Sequence, residues 1–407
     1  MLQRLNLIVT TVMFLHLCIP LAMAENKKPE QLDKFPPSPL EITTPDPLIR
    51  GGLDKQPLTR EEMQKLEISL DELNQQAVVT LQGGDKEKAF EIWNRELRLR
   101  RFLGLLAEVE ALSRIGAIAW NENQRQEVKY ITQRLQVIEK QILTQKSTDL
   151  ELWRSLGDGY QKMRVPKLAV GVYQQILTLV RQQNDTNAEL ETLKTIGEIH
   201  LSWFDYSPAA STYQELLNLA QIKNDKLDEV AYLQQLVYIY EKAKQHQQGI
   251  NVLNNLVSLY TDENNLTQVP SLKIAIASNY QSLSQENPNL LQAAFNNYQE
   301  AYTIAWQLQQ YVTASEALQK LITLYRSQNQ IDEALQTSQI LLETEKLATN
   351  VYGLMQAYDQ IGELYLERQD NSKALTAFQK GLELAQQLKH EEIYFTQKID
   401  TLSKAKF

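Results

Sequence analysis

The sequence predicts an all-α protein built from repeated pairs of antiparallel helices, an architecture called an α-solenoid. Three segments share one pattern, in which a glycine follows Leu or Ile and precedes an aromatic or His by three residues. These glycines are Gly157, Gly197 and Gly362, and the first two are forty residues apart. A fixed period of this size is typical of a solenoid. Only four of the 12 prolines lie beyond residue 60, and long proline-free stretches favour helix.

The residues that follow each glycine predict how the two helices of a pair pack. In the segment around Gly157, an alanine, Ala169, follows after twelve residues, and Tyr173 comes four residues later. Two helices that cross closely need small residues at the crossing point. We therefore expect the glycine to meet the alanine, and the aromatic residue to pack one turn further along the second helix.

Eight units with this pattern can be placed along the chain. The sixth unit contains an insertion of about five residues near Pro288. Turns that contain Asn recur forty residues apart, at Asn184, Asn224 and Asn264. Asn and Asp suit both a turn and the cap of the following helix. The predicted centres of the eight first helices are Ala77, Gly116, Gly157, Gly197, Val237, Ala277, Ile322 and Gly362.

The chain divides into four predicted segments. Residues 1–24 are typical of a signal peptide: Arg4 precedes an apolar run, and Ala22 and Ala24 form a small-x-small cleavage site. An uncleaved anchor is the alternative. Residues 25–60 are rich in proline and predict a flexible tether, residues 61–395 the solenoid of about eight repeats, and residues 396–407 a C-terminal tail. Thr59 and Glu62 predict a capping box where helix begins.

These segments predict where the protein resides. We expect export to the periplasm, or to the thylakoid lumen in a photosynthetic bacterium, without stable membrane insertion after cleavage. Cleavage would remove Cys18, the only cysteine, so disulfides and thiolate chemistry are not expected.

The repeat pattern resembles the tetratricopeptide repeat (TPR) family over roughly residues 63–390. The resemblance implies a right-handed superhelix whose first helices line a concave groove. Two features depart from the family: the step is about forty residues where the family's is near 34, and the family's proline at the end of the second helix is absent. Both departures indicate longer helices than the family's usual ones, as in its extended versions.

The resemblance also implies which residues face a protein or peptide partner. In the family these positions lie on the first helix, three before, one after and four after the glycine. The resulting set is mixed in charge and rich in amides. It comprises Arg154, Asp158, Gln161, Lys194, Glu198, Gln234, Tyr238, Glu241, Gln319, Arg326, Asp359 and Glu363.

Two interpretations of this polar surface remain open. Arg154 with Asp158, and Lys194 with Glu198, are pairs of opposite charge at i,i+4, which would neutralise each other on the helix surface. Alternatively, the surface is a groove for an extended segment or a partner helix. The aromatic residues Trp203, Phe204 and Tyr206 also have two interpretations: packing of the turn between two helices, which is the default, or a binding hot spot.

Several function classes are disfavoured. With a net charge of −9 and no basic block, nucleic acid is not an expected partner. We find no catalytic set, no motif for a transition metal and no cofactor motif, so we expect a protein that is not an enzyme. Surface carboxylates could still hold a hard cation, and the candidate sets are Glu189, Glu191 and Glu198, or Asp225, Asp228 and Glu229.

Two functional hypotheses follow. The first is an exported, non-enzymatic scaffold or adaptor that mediates protein–protein interactions. The second rests on layout: a signal peptide, a proline-rich tether and an acidic array resemble the processing-associated TPR protein of photosynthetic bacteria. That resemblance implies a manganese-handling assembly factor for photosystem II. Self-association through the end units is a third alternative.

Overall fold

The computed structural model describes residues 37–49 and 58–404. Over these ranges the regular structure is helical throughout, with seventeen α-helices and no strand, so the predicted all-α solenoid of helix pairs is confirmed. In the same ranges no helix has the length and apolar character needed to cross a bilayer. The predicted signal peptide lies outside the described residues. The chain forms two compact units, one ending at Phe102 and the other beginning at Leu103.

The first unit contains α1 (Arg60–Gln82), α2 (Lys86–Arg100) and a short 3-10 helix (Pro39–Glu41). The predicted capping box is present, since Thr59 N donates to Glu62 Oε2 at 2.8 Å and Glu62 N donates to Thr59 Oγ1 at 3.3 Å.

Residues 37–49 differ from the flexible tether that the prolines predict. Leu40 is fully buried, and Arg95 Nε donates to Asp46 Oδ2 at 2.8 Å. Arg98 and Arg101 donate to the main-chain carbonyls of Pro39 and Leu40. Proline restricts the backbone without preventing its docking, so this segment lies against α2.

The second unit consists of fifteen helices, α3 to α17, in which neighbouring helices along the chain mostly pack against each other. All predicted first-helix centres in this unit fall on the odd-numbered helices. The bounds are α3 (Leu105–Asn121), α4 (Arg125–Thr144), α5 (Leu150–Lys162), α6 (Pro166–Gln182), α7 (Thr186–Ser202), α8 (Tyr206–Lys223), α9 (Lys226–Lys242), α10 (His246–Asp262), α11 (Val269–Leu283), α12 (Leu291–Gln307), α13 (Tyr311–Ser327), α14 (Ile331–Leu347), α15 (Val351–Glu367), α16 (Asn371–Leu388) and α17 (Glu392–Lys404).

The turns between these helices share one backbone conformation with a period of twenty residues. The turns form two series, and each turn contains one residue whose backbone is in the left-handed region. These residues are 164, 184, 204, 224, 244 and 264 in the first series and 309, 329, 349, 369 and 389 in the second. The predicted insertion separates the two series and forms a 3-10 helix, Pro288–Leu290. Asp185 and Asp225 then cap α7 and α9 by accepting from main-chain nitrogens at 3.0 and 3.1 Å. The backbone therefore repeats with each single helix and its turn, which is half of the forty-residue sequence repeat.

The expectation that each glycine meets the following alanine is wrong. A Cβ added at Gly157 would lie 2.8 Å from the ring of Tyr173, and one at Gly197 would lie 2.8 Å from the ring of Tyr213. At Gly362 the obstructing ring belongs to Phe378, at 2.5 Å. The glycine thus makes room for the aromatic residue sixteen positions later, because the ring reaches back across the interface between the two helices.

The helices α3 and α5 pack directly against each other, whereas α4 and α5 barely touch. Glycine permits this approach on both sides, since a Cβ at Gly116 would lie 2.5 Å from Met163 Sδ and one at Gly159 would lie 3.3 Å from Ser113. The hairpins from α5 onward stack mainly through the second helix of one and the first helix of the next.

The C-terminal segment differs from the predicted tail. The solenoid was expected to end at residue 395, but α17 continues to Lys404 and packs on α16. Phe395 is fully buried beside Gly381, where a Cβ would collide with its ring. Phe395, Ile399 and Leu402 recur at i, i+4 and i+7, which is a helical apolar face that could have been recognised in the sequence.

Candidate functional site

The predicted partner-facing residues lie on five first helices of the second unit, and the structure separates them into two groups. Those on α5, α7 and α9 remain largely open or make contacts within their own hairpin, apart from Asp158, which also accepts from Ser113 Oγ of α3 at 3.5 Å. Those on α13 and α15 contact other helices of the same chain. The two groups therefore differ in how much of their surface a partner could reach.

A cavity of about 330 Å³ lies between α5, α6 and α7. Its polar lining includes Arg154 and Asp158 from the third hairpin and Glu191 and Thr195 from the fourth, while Tyr173 and Ile176 of α6 are among its other lining residues. Arg154 and Asp158 were predicted from the sequence. The α7 residues in this cavity were not among the predicted partner-facing residues, because they lie one turn before the positions that the resemblance implies.

The predicted i,i+4 neutralisation does not match the ion pairs that form. Asp158 pairs with Lys162 at 2.7 Å, and Lys194 pairs with Glu191 at 3.4 Å. Arg154 and Glu198 are exposed. The third and fourth hairpins therefore present charges of both signs to solvent.

Amide and phenol groups extend this surface. Gln161 Nε2 donates to the Tyr173 hydroxyl at 2.8 Å, and burial raises the pKa of Tyr173, so this phenol stays neutral. On α9, Gln234 Nε2 donates to the Tyr260 hydroxyl at 3.3 Å. Tyr238 is exposed beneath the Lys242 ammonium, 5.4 Å from its ring centre, and Glu241 is exposed.

The polar side chains of α13 are held by neighbouring helices. Gln319 Nε2 donates to Glu345 Oε1 on α14 at 3.4 Å, and Arg326 Nε donates to Glu367 on α15 at 2.6 Å.

Those of α15 are held by α17. The Tyr394 hydroxyl donates to Asp359 Oδ1 at 3.0 Å, and Lys398 Nζ donates to Glu363 Oε1 at 2.5 Å. Burial raises the pKa of Asp359, while the hydrogen bond to Glu363 raises the pKa of Lys398. Lys398 lies in residues 396–407, which were interpreted as a tail, so its contact with Glu363 was not predicted.

The packing interpretation of the aromatic turn is wrong for two of its three residues. The side chains of Trp203 and Phe204 are 46% and 73% exposed. Tyr206 is half-buried, and its ring lies 6.4 Å from that of Phe204. Beside them is a recess of about 440 Å³ whose lining includes Pro166, Val170 and Ile199.

The two carboxylate sets proposed for a hard cation are distributed among other contacts. Glu189 pairs with Arg181 at 2.7 Å, Glu229 pairs with Lys226 at 2.7 Å, and Asp225 caps α9. Within residues 37–49 and 58–404 no group of three His, Cys, Asp or Glu side chains could hold a metal ion.

Comparisons with known proteins find distantly similar solved structures but no family. No family model matches the sequence, and no curated protein matches it. Among solved structures, BtubC from P. vanneervenii is 16% identical, with a TM-score of 0.38 over 54% of this chain and 91% of its own. The apo form of RapI is 15% identical, with a TM-score of 0.43 over 72% of this chain and 79% of its own.

The apo form of the quorum sensor NprR from B. thuringiensis is also 15% identical, with a TM-score of 0.35 over 72% of this chain and 80% of its own. The resemblance to TPR proteins is confirmed for the fold by the stacked antiparallel helix pairs of the structure itself. At these identities and TM-scores, the similarities carry no argument about function.

Proposed function

We propose that this protein is an exported scaffold that binds a segment of another protein along α5, α7 and α9. The cavity between α5, α6 and α7 carries the proposal, because it joins Arg154 and Asp158 of one hairpin to Glu191 and Thr195 of the next. A partner seated there would contact two repeats at once, which is how a solenoid gains binding area.

The chemistry of this surface favours an extended peptide or a helix with mixed polar side chains. Arg154 supplies a planar group for carboxylates, Glu198 a carboxylate for cations, and Gln234 an amide that can both donate and accept. A surface with both signs of charge fixes register and orientation more than it attracts a strongly charged ligand.

Site-specific photo-cross-linking tests the proposal. The photoreactive residue p-benzoylphenylalanine would replace Arg154 or Glu198, and a matched control would carry it at Gln175, which is exposed on α6. After irradiation in an envelope extract of the source cell, mass spectrometry would identify the adducts. We expect the same small partner set at 154 and 198 and none at 175. Equal labelling at all three positions, or labelling at none, would contradict the proposal.

Export is part of the proposal and is supported by the signal-like pattern of residues 1–24, with Arg4 before the apolar run and Ala24 at its end. The mature protein would then act in the periplasm or thylakoid lumen. The proposal concerns protein binding and assigns no manganese site to the residues that the structure describes.

A further inference from the structure

In the turn between α7 and α8, one residue has a backbone conformation that is unfavourable for its bulky side chain. Phe204 has a φ of 59°, in the left-handed region. Among the described turns, the other residues with this conformation are Arg, Lys, Gln, Thr, Glu or Asn, and Phe204 is the only aromatic one. Asn, which tolerates the conformation best, occupies five of them, at Asn123, Asn184, Asn224, Asn264 and Asn329. A bulky residue there is an outlier that calls for an explanation.

Packing does not supply that explanation. Phe204 is 73% exposed and Trp203 next to it is 46% exposed, so the first is mostly open to solvent and the second about half open. The folded protein therefore accepts an unfavourable backbone and exposes two large rings at one point. Residues that break a local rule without a compensating gain are expected at functional sites.

The rings border a concave site. The recess of about 440 Å³ lies between the start of α6 and the end of α7, and Pro166, Val170, Ile199 and Trp203 give it an apolar lining. A recess of this kind accepts a side chain from a partner, because a buried anchor in a pocket is the usual centre of a protein interface.

The charge around the recess is opposite to that of the whole protein. Successive hairpins run in the same direction, so the turns at 162–167, 202–208 and 242–246 lie at the same end of the stack. These turns contain five basic residues and a single acid, Asp205, in a chain with net charge −9. Arg164, Lys167 and Lys244 are exposed and have no ion-pair partner among the residues that the structure describes.

We propose that this edge, defined by Trp203, Phe204, Arg164, Lys167 and Lys244, docks an acidic protein segment that carries a bulky apolar anchor. The anchor enters the recess beside Trp203, and its acidic flanks lie against the neighbouring basic turns. The edge is separate from the surface on α5, α7 and α9, so the protein has two places at which to bind proteins.

Selection from a library of random twelve-residue peptides displayed on phage tests the proposal on the full chain. Peptides are selected in parallel against the wild type and against Phe204→Asn. Those enriched on the wild type alone depend on Phe204, and they are synthesised for binding measurements. We expect these peptides to carry a bulky apolar residue flanked by Asp or Glu. Phe204→Asn and Trp203→Ala should each weaken their binding about thirtyfold, as for a central anchor.

Three controls isolate the edge. Phe204→Asn places at the turn the residue that five other turns use, so circular dichroism and melting should show an intact fold. Val312→Asn removes another exposed apolar residue, on α13, and should leave peptide binding unchanged. Arg164→Gln with Lys167→Gln should weaken binding severalfold and reduce its dependence on salt.

Several results would overturn the proposal. One is that no selected peptide depends on Phe204, and another is that the dependent peptides lack an acidic excess. A third is that vesicles of phosphatidylglycerol bind the wild type and not Phe204→Asn, which would make the edge a membrane contact. The last is that light scattering detects a dimer that Phe204→Asn abolishes, which would make the occupant a second copy of this chain.

Discussion

The fourth and eighth hairpins follow the same repeat pattern but differ in what their polar side chains contact. On α7 of the fourth hairpin, Lys194 pairs with Glu191 of its own helix and with no other residue that the structure describes, and Glu198 is exposed. On α15 of the eighth hairpin, Asp359 and Glu363 are hydrogen-bonded to α17. The repeat pattern specifies the apolar packing of both hairpins, whereas the added helix determines which polar surface stays available.

This difference changes the interpretation of the predicted partner surface. Twelve positions were of equal standing in the sequence, because each lies three before, one after or four after a repeat centre. In the structure, α17 lies where the first helix of a further repeat would lie. Its side chains bind Asp359 and Glu363, which are the predicted partner-facing residues of α15. The surface open to another protein is therefore concentrated on α5, α7 and α9.

The largest expected effect comes from removing the anchor that holds α17. Phe395→Ala should lower the free energy of opening α17 by about 3–5 kcal/mol, because a fully buried ring is lost and leaves a cavity. Hydrogen exchange of the amides of α17 measures this opening. Ile393→Ala is the control, since this side chain is 75% exposed and should cost little. If the hydrogen-exchange protection of α17 is unchanged in Phe395→Ala, the Phe395 ring does not hold α17 in place. The difference drawn between the fourth and eighth hairpins would then be contradicted.

A second prediction concerns a buried carboxyl next to the eighth hairpin. Glu345 on α14 is 1% exposed, and its Oε2 has no hydrogen-bond partner within the described ranges. Burial raises the pKa of this carboxyl above its ordinary value of 4.5. The native state therefore holds the proton more tightly than the unfolded state does. The neutral group's contribution to stability is complete below pH 4.5 and is lost as the pH rises through the native pKa.

Glu345→Gln keeps the shape of the side chain and removes its charge. At pH 8 the variant should be more stable than the wild type by about 1–2 kcal/mol, the usual cost of an unsatisfied buried polar group. At pH 4 the two should differ little. Urea unfolding at several pH values measures this, with Glu343→Gln, an exposed neighbour, as the control. A difference that does not grow with pH would show that the carboxyl is not held neutral.

The third prediction sharpens the contrast at the turn of the fourth hairpin. Phe204→Asn should stabilise the protein by about 1 kcal/mol, because it relieves the cost of a bulky side chain in the left-handed region. Thr349→Asn, in the turn between the seventh and eighth hairpins, should stabilise by a similar amount, since Thr349 has a φ of 54°. Chemical unfolding measures both variants. A destabilised Phe204→Asn would mean that the aromatic side chain serves the fold after all.

The sequence was informative about the fold because its period repeats the same local packing many times. Gly157, Gly197 and Gly362 could be aligned, and all three lie in first helices against an aromatic ring. The partner of each glycine was misjudged, because spacing along the chain does not say which way a long side chain points across an interface. The twenty-residue period of left-handed turns was hidden, since Asn, Lys, Arg, Gln, Thr and Phe all occupy it.

The candidate site was harder to predict than the fold. Polar positions were chosen by analogy within each hairpin, but their contacts depend on neighbours such as Glu345, Glu367 and Tyr394 that belong to other helices. The exposure of Phe204 could not be derived from its residue type, since an aromatic residue in a turn is equally compatible with packing. Long-range contacts and exposure are properties of the assembled stack.

The smallest expected effect tests whether the contacts of α17 with α15 contribute energy or only cover the surface. Lys398 and Glu363 form an ion pair at 2.5 Å with both side chains partly exposed, so a coupling of about 0.5 kcal/mol is expected at low salt. A double-mutant cycle with Lys398→Met and Glu363→Gln measures it through the opening of α17 by hydrogen exchange, and high salt should reduce the coupling. A coupling near zero, together with a large effect of Phe395→Ala, would mean that apolar packing alone holds α17. Glu363 could then be freed for a partner by local changes in charge, and the eighth hairpin would become more like the fourth.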